Sequence, residues 1–193
     1  MLEIRLHGRG GQGAVIASKI LSYAFFLEGK YAQSFPTFGA ERRGAPVAAF
    51  VRAADHFINR RSQVVNPDGV IVMAARLTET VAVDAGLRDK GLILINSEHD
   101  PSFYADLARK YRVATVNANG IALSHQLGTP SMPLINAPIL GAFAGVSGLV
   151  SLEALLKALP RFVPVKQEEN RLAMEEAYRM LIDAEGGHLH ADT

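Results

Sequence analysis

Apolar and polar residues alternate in a way that predicts strands and helices in turn along the first two thirds of the chain. Short apolar runs such as "VIVMA" and "LILIN" are typical of strands that a parallel sheet buries on both faces. The longer segments between the runs have helical character. The pattern predicts strands over 2–7, 31–35, 47–52, 70–74, 92–96 and 112–117, and helices over 12–27, 77–87 and 102–110.

This alternation is typical of βαβ units, which build a mostly parallel sheet. The segment between the second and third predicted strands, 36–46, is too short for a helical crossover, so local antiparallel pairing is expected there. The predicted fold class is α/β: a Rossmann-like, mostly parallel sheet flanked by helices, with a helical C-terminal third.

The C-terminal third contains helical patterns with glycines at helical spacing. Gly141 and Gly145 lie four residues apart, which places them on one face of a helix and allows a second helix to approach closely. Ser151 is a candidate N-cap for the helix that follows, because its hydroxyl can accept a hydrogen bond from a free backbone N–H group.

Composition indicates a single globular domain. Apolar residues make up 49% of the chain and charged residues 20%, which is typical of a folded rather than a disordered protein. An amphipathic helix is predicted from 167 to 185, where Gly186-Gly187 ends it. We therefore expect one domain over 1–185 and a disordered tail over 186–193.

The net charge and the absence of cysteine limit the classes of partner and cofactor that we expect for this chain. A net charge of +1 gives no overall field that favours nucleic acid or an acidic membrane. No apolar run reaches the ~20 residues of a membrane span, and no signal-peptide pattern precedes the first strand. We expect a cytoplasmic protein with no nucleic-acid or membrane partner. The absence of cysteine excludes disulfides, and it excludes an iron–sulfur cluster that this chain alone ligates through cysteine.

A glycine-rich stretch, "HGRGGQGAV" at 7–15, follows the first predicted strand and opens the first predicted helix. Its spacing fits G-x-G-x-x-G, and backbone N–H groups at such a helix start favour an anion. The predicted binding residues are Gly10, Gly11, Gln12 and Gly13. A dinucleotide site also needs an acidic residue at the end of the second strand, and "QSFPTF" has none. The alternative, that the glycines only permit tight packing of strand and helix, stays open.

A second stretch, "FPTFGAERRGAP" at 35–46, places two permanent cations on a loop fixed by proline and glycine. Arginine pairs bind carboxylate or phosphate groups through two hydrogen bonds at once. Three interpretations compete: a solvated turn, an anion site and a docking surface for another protein. The neighbouring aromatic residues favour a contact surface. The predicted interface or anion-binding residues are Phe38, Glu41, Arg42 and Arg43.

No complete catalytic set is evident. The histidines are scattered without the spacing of metal ligands, and no serine lies in a nucleophile-elbow context. We assign no catalytic residue and no metal ligand to this chain. The chain therefore either binds a ligand or completes the active site of another protein.

The two loops together resemble the gamma subunit of the pyruvate:ferredoxin oxidoreductase family. The resemblance includes "HGRGGQGAV", "EGKY" and "FPTFGAERRGAPV" in this order. It continues through "NPD" at 66–68 and "NAPILGAFAGVSGLVSLEAL" at 136–155, and it ends in the helix with "EENRLAMEEAY". It therefore spans nearly the whole chain, and the paired motifs are far more specific than the glycine loop alone.

The resemblance implies a subunit of an enzyme that oxidatively decarboxylates a 2-oxoacid and forms an acyl-CoA. Thiamine diphosphate, Mg and iron–sulfur clusters are then expected in partner subunits, named alpha, beta and ferredoxin-like delta. Ferredoxin is the expected electron acceptor of the complex. The gamma subunit is expected to bind no cofactor alone and to be inactive alone.

Two hypotheses about residues follow from the resemblance. The backbone donors of Gly10, Gly11, Gln12 and Gly13 are expected to approach an anionic group such as the pyrophosphate of coenzyme A. Arg42 and Arg43 are expected to line a subunit interface or the approach to the active site. Three alternatives remain: a phenylglyoxylate-type subunit whose complex passes electrons to NAD, a free-standing Rossmann-like anion- or nucleotide-binding module, and an independent NAD(P) dehydrogenase.

Overall fold

A six-stranded sheet forms the centre of the molecule. The structure is a computed structural model, and it describes residues 1–37, 44–60 and 62–189. The strands are β1 (Leu2–Arg9), β2 (Tyr31–Pro36), β3 (Pro46–Ala54), β4 (Gly69–Val72), β5 (Leu92–Asn96) and β6 (Arg112–Val116). Their order across the sheet is β2–β3–β1–β4–β5–β6. A separate two-stranded hairpin consists of β7 (Gly128–Thr129) and β8 (Met132–Pro133).

Parallel pairing joins β1, β4, β5 and β6, whereas β3 runs antiparallel to both of its neighbours, β1 and β2. The antiparallel pairing expected from the short segment between the second and third strands is therefore confirmed. The Rossmann-like α/β fold class is also confirmed, with one reversed strand beside the central strand β1.

Helices cover both faces of the sheet. One face shares a hydrophobic core with α1 (Ala14–Leu27), α4 (Ala118–Ser124), α5 (Asn136–Ser147), α6 (Leu152–Phe162) and α7 (Gln167–Leu189). The other face packs against α2 (Leu77–Thr80), a 3-10 helix (Pro101–Tyr104) and α3 (Ala105–Ala108). Within the described residues, no helix is long and apolar enough to cross a membrane.

The two glycines of α5 allow it to pack closely against α7. A Cβ atom placed on Gly141 would overlap the backbone carbonyl of Met174. A Cβ atom placed on Gly145 would lie 2.6 Å from the carbonyl oxygen of Tyr178. The prediction that these glycines permit a close helix approach is therefore confirmed.

A buried ion pair links the first and third strands. Glu3 and Arg52 are direct neighbours in the β1–β3 register, and Arg52 Nε lies 2.7 Å from Glu3 Oε1 with both side chains buried. The guanidinium also donates to the carbonyl of Arg60 and lies 5.2 Å from the centre of the Phe35 ring. This pair anchors the antiparallel half of the sheet to the central strand.

Helix α2 is shorter than the helix predicted over 77–87. The guanidinium of Arg5 on β1 donates to the carbonyls of Val83 at 2.9 Å and Ala85 at 2.7 Å. The helix ends at Thr80 because the backbone of Val81 is extended, with φ −135° and ψ 139°, and Arg5 holds the non-helical segment that follows. Because Arg5 lies far away in sequence, local periodicity does not reveal these contacts.

Other helix boundaries also differ from the sequence pattern. The helix predicted over 102–110 is a 3-10 turn followed by the short α3. Helix α4 was not predicted, and it begins where the Asn117 side chain accepts from the N–H of Gly120 at 2.8 Å. Helix α7 continues through Gly186-Gly187 to Leu189 instead of ending at 185. The predicted cap of α6 is confirmed, because Ser151 Oγ accepts from the N–H of Ala154 at 3.1 Å.

Candidate functional site at the glycine loop

The candidate site lies at the edge of the sheet where the parallel strands end. The chain leaves β1 into α1 on one face and leaves β4 into α2 on the other, so the winding direction reverses between these strands. Ligands of open α/β sheets bind in the crevice outside such a reversal point. A crevice of about 320 Å³ opens here, and its lining includes Arg9, Gln12, Asn96 and Asn119.

The glycines of the loop serve two different purposes. A Cβ atom on Gly8 would lie 3.0 Å from Cβ of Ala14, and one on Gly13 would lie 2.5 Å from Oδ1 of Asn136. Gly11 has a φ of +94°, yet a Cβ atom there would meet no atom of the described residues within 4 Å. Tight packing therefore requires Gly8 and Gly13, whereas Gly11 is required by its backbone angle, and its outer side is open as far as the described residues go.

The loop is a preformed turn closed by its own hydrogen bonds. The N–H of Arg9 donates to Oε1 of Gln12 at 2.8 Å, and the N–H of Gln12 donates to the carbonyl of Arg9 at 2.9 Å. The Gln12 side chain is therefore occupied in holding the turn. This pairing fixes the direction in which the following backbone N–H groups point.

The amino ends of two helices meet at Gly13. Gly13 is the N-cap of α1, and the Asn136 side chain that lies over it belongs to the first residue of α5. Neither helix has a side-chain cap or an acidic residue in its first turn. Both helix dipoles therefore present their positive ends at this point, which favours an anion.

The structure brings the two sequence motifs together. The N–H of Gly10 donates to the carbonyl of Ala45 at 2.9 Å, and the N–H of Gly44 donates to the carbonyl of Gly10 at 3.2 Å. On the other side of the second motif, the N–H of Thr37 donates to the carbonyl of Ala48 at 2.8 Å. The end of that motif at Gly44 and Ala45 thus lies beside the glycine loop, whereas its beginning at Thr37 lies beside β3. The predicted residues Phe38, Glu41, Arg42 and Arg43 lie outside the described residues.

The reversed strand β3 explains why the acidic residue of a dinucleotide site is missing. In such sites the acid follows the strand next to β1, at its carboxyl end. Here that neighbour is β3, and it presents its amino end, with Arg9 opposite Pro46 and Gly8 opposite Val47. The position that would hold a ribose is therefore occupied by the residues that enter β3.

Buried polar groups surround the base of the loop. His7 is 8% exposed, and among the residues that the structure describes its Nε2 atom has no hydrogen-bond partner. Burial, and secondly the charge of Arg5, lower the pKa of His7 to about 4. The ring is therefore neutral near pH 7, and the positive character of the site comes from Arg9, Arg76 and the two helix ends.

In the part of the chain that the structure describes, no group of three or more histidine, aspartate or glutamate residues is placed to hold a metal ion. The Asn96 amide ends β5 at the crevice, where its Nδ2 donates to the carbonyl of Met73 at 2.9 Å and to Oδ1 of Asn119 at 3.1 Å. The site can therefore offer the backbone N–H groups of Gly11 and Gly13, side-chain amides and the arginines Arg9 and Arg76 to a ligand.

A family model described as pyruvate ferredoxin/flavodoxin oxidoreductase matches residues 3–180. The chain belongs to this family. The resemblance to its gamma subunit, which the two loop motifs indicated, is confirmed by relatives that match along nearly their whole length.

Two of these relatives and one solved structure illustrate the similarity. The chain is 48% identical to pyruvate synthase subunit PorC of Methanocaldococcus jannaschii, over 96% of this chain and all of the relative. It is 46% identical to the gamma subunit common to the pyruvate and ketoisovalerate oxidoreductases of Thermococcus kodakarensis, over 94% of this chain and 98% of that one. The crystal structure of pyruvate oxidoreductase subunit PORC from Thermotoga maritima superposes with a TM-score of 0.76 at 35% identity. The match covers 92% of this chain and 95% of the PORC chain.

Sequence reasoning missed the role of Asn136 in this gamma-type subunit. The residue lies in the motif "NAPILGAF", where it begins α5 without capping it. Its contact with Gly13 joins segments more than a hundred residues apart, so no local pattern points to it. The hydrogen bonds between Gly10 and the end of the second motif could not be predicted from the sequence either, because they depend on the direction of β3.

Proposed function

We propose that this chain is the gamma subunit of a multi-subunit, thiamine-diphosphate-dependent 2-oxoacid oxidoreductase. The reaction of the complex converts pyruvate, or a related 2-oxoacid, and coenzyme A to acyl-CoA and CO₂, and its electrons pass to ferredoxin. The observation that carries the proposal is the end-to-end match to subunits of pyruvate oxidoreductases, the solved PORC structure among them.

In this proposal the chain contributes structure and a binding surface, and the catalytic groups lie in partner chains. Electron transfer through iron–sulfur clusters needs thiolate ligands, and this sequence contains no cysteine. The clusters are therefore proposed to lie in partner chains. The family resemblance implies that thiamine diphosphate and Mg also lie there, in alpha, beta and ferredoxin-like delta subunits. A relative whose name makes it common to pyruvate and ketoisovalerate oxidoreductases supports the view that substrate choice lies in those chains.

The glycine loop is proposed to contact the pyrophosphate of coenzyme A. The two helix ends at Gly13 supply a positive field, and the open side of Gly11 leaves room for a phosphate group beside the backbone. An anionic group as small as a phosphate therefore fits beside this loop. Arg9, at the same crevice, offers a further charge-assisted hydrogen bond.

Replacement of Gly11 by aspartate is expected to raise the apparent KM for coenzyme A about tenfold relative to replacement by asparagine. The two side chains have nearly the same size, and both tolerate a positive φ. Only aspartate adds a negative charge where the phosphate is expected. Steady-state kinetics of the assembled complex, with coenzyme A as the varied substrate, measures the difference.

Gly29 provides the matched control for this experiment. It has a φ of +82°, and within the described part of the chain a Cβ atom there would meet nothing within 4 Å, but it lies at the opposite end of α1. Gly29→Asp should leave the KM for coenzyme A unchanged. Equal KM values for Gly11→Asp, Gly11→Asn and the unmodified complex would exclude the loop as a contact of coenzyme A.

Alanine at both Arg42 and Arg43 is expected to lower either the assembled fraction or kcat/KM of the complex about tenfold or more. The reason is that the segment containing them ends at Gly44, whose N–H donates to the carbonyl of Gly10 in the glycine loop. The double lysine variant keeps both charges and serves as the control. Native mass spectrometry separates an assembly defect from a kinetic one. Normal assembly and normal turnover of the alanine variant would refute both roles.

Purification of the native protein tests the function as a whole. Co-purification with thiamine-binding and cluster-bearing chains is the expected result. A complex that reduces NAD with phenylglyoxylate would favour the alternative of a phenylglyoxylate-type subunit. An isolated monomer that binds a nucleotide would instead favour a free-standing binding module, and NAD(P) turnover by the monomer would favour an independent dehydrogenase.

A further inference from the structure

The second edge strand of the sheet, β6, borders an open groove. Strand β6 pairs with β5 on one side only. The N–H of Arg112 donates to the carbonyl of Gly91, and the carbonyl of Val116 accepts from the N–H of Ser97. In a parallel ladder the alternate residues, Val113 and Thr115, then direct their N–H and C=O groups away from β5. Within the described residues 1–37, 44–60 and 62–189, no group forms a hydrogen bond with these outward N–H and C=O groups.

The groove beside this edge has a volume of about 540 Å³ and two chemically different walls. One wall comes from α5 and α7 and is apolar, with Val146, Met180 and Leu181. Met180 is 50% exposed, so half of this apolar side chain faces the open groove. The apolar wall is therefore available to a side chain from outside.

The other wall consists of the segment that follows β5 and is acidic. It includes Glu98 and Asp100, which are exposed at the groove. Asp100 accepts from the N–H of Ser102 at 2.9 Å. This hydrogen bond is the main cause that lowers the pKa of Asp100, so the carboxylate keeps its charge down to acidic pH.

We propose that the groove receives an extended segment of a partner subunit, which adds a seventh strand to the sheet along β6. Free main-chain donors and acceptors favour an extended polypeptide over a helix or a small molecule. Side chains of a strand alternate between two sides. The segment therefore directs apolar residues toward Met180 and polar residues, with a lysine or arginine among them, toward Glu98 and Asp100.

The inference rests on the proposed function, because it needs a partner chain in a complex. Its direct test is site-resolved hydrogen exchange of the full chain alone and in the purified complex. We expect the amide protons of Val113 and Thr115 to exchange at least about tenfold more slowly in the complex, because they gain acceptors. Unchanged exchange of these two amides in an assembled complex would overturn the inference.

A pair of variants at one position separates the main chain from the side chain. Thr115→Pro removes the outward N–H and leaves the β5–β6 ladder intact, since proline is tolerated on the free side of an edge strand. Thr115→Ala keeps the N–H. The proline variant should recover about tenfold less partner on co-purification, and the alanine variant should recover a normal amount. Glu98→Lys should weaken recovery more than Glu98→Gln.

Other occupants of the groove give distinct results. If residues 190–193 of this chain fill it, the two amides are protected in the chain alone, and deletion of those residues exposes them. If a second copy fills it, the isolated chain forms dimers that Thr115→Pro dissociates. Either result overturns the assignment to a partner subunit. If no thiamine-binding or cluster-bearing chain co-purifies with the unmodified protein, the proposed function itself fails.

Discussion

Replacement of Arg52 by methionine is expected to lower the free energy of unfolding by about 3–5 kcal/mol. The guanidinium is buried beside Glu3, with 2.7 Å between Nε and Oε1. Methionine fills much of the same volume but leaves the Glu3 carboxylate buried without its cation. An unpaired charge in a protein interior is far more costly than a lost surface contact. Urea unfolding monitored by circular dichroism measures the change.

Two further variants test this explanation. The double variant Glu3→Gln, Arg52→Met removes both charges, so it should recover a large part of the stability that the single variant loses. Lys157→Met breaks an exposed ion pair with Glu153 and should change stability little. If the double variant is no more stable than Arg52→Met alone, loss of packing explains the effect instead of the buried charge.

Replacement of Gly141 by valine is expected to separate α5 from α7 and to lower the free energy of unfolding by about 3 kcal/mol or more. Even a Cβ atom at this position overlaps the carbonyl group of Met174, and a backbone atom cannot move aside as a flexible side chain can. Because α5 lies between the sheet and α7, the displaced helix would expose core residues on both sides. Thermal unfolding and co-purification with partner subunits measure the two consequences.

Lys19→Val serves as the control for this substitution. It introduces the same β-branched residue into a helix, but at an exposed position of α1. The penalty there is limited to helix propensity, a few tenths of a kcal/mol to about 0.7 kcal/mol. If Gly141→Val loses no more stability than Lys19→Val, close packing of α5 against α7 does not determine the effect at Gly141, since valine has a higher helix propensity than glycine.

The sequence predicted those elements that local spacing determines. Strand β5 begins and ends where its apolar run does, because both faces of the strand are buried. The spacing of Gly141 and Gly145 predicted a close helix contact, because it places both glycines on one helical face. The two loop motifs identified the family, since their combination is specific even though each alone is not.

The remaining features depend on contacts between distant parts of the chain. The segment after α2 is held by hydrogen bonds that Arg5 makes across 78 residues. The contact between Asn136 and Gly13 joins the first and last thirds of the protein. The functions of the glycine loop and of Arg42 and Arg43 stay predictions, because ligands and partner chains determine them and the spacing of residues does not.

The reversed strand β3 also has a consequence for protein engineering. A designer who wished to convert the glycine loop into an NAD site would add an aspartate after the strand next to β1. That strand ends at Ala54, and nine residues at about 3.3 Å each place this end roughly 25–30 Å from the loop. No single acidic substitution there can reach a ribose at the glycine loop. Cofactor exchange on this scaffold would require the strand to be rebuilt in the opposite direction, so a matching glycine signature is a poor guide to what can be engineered.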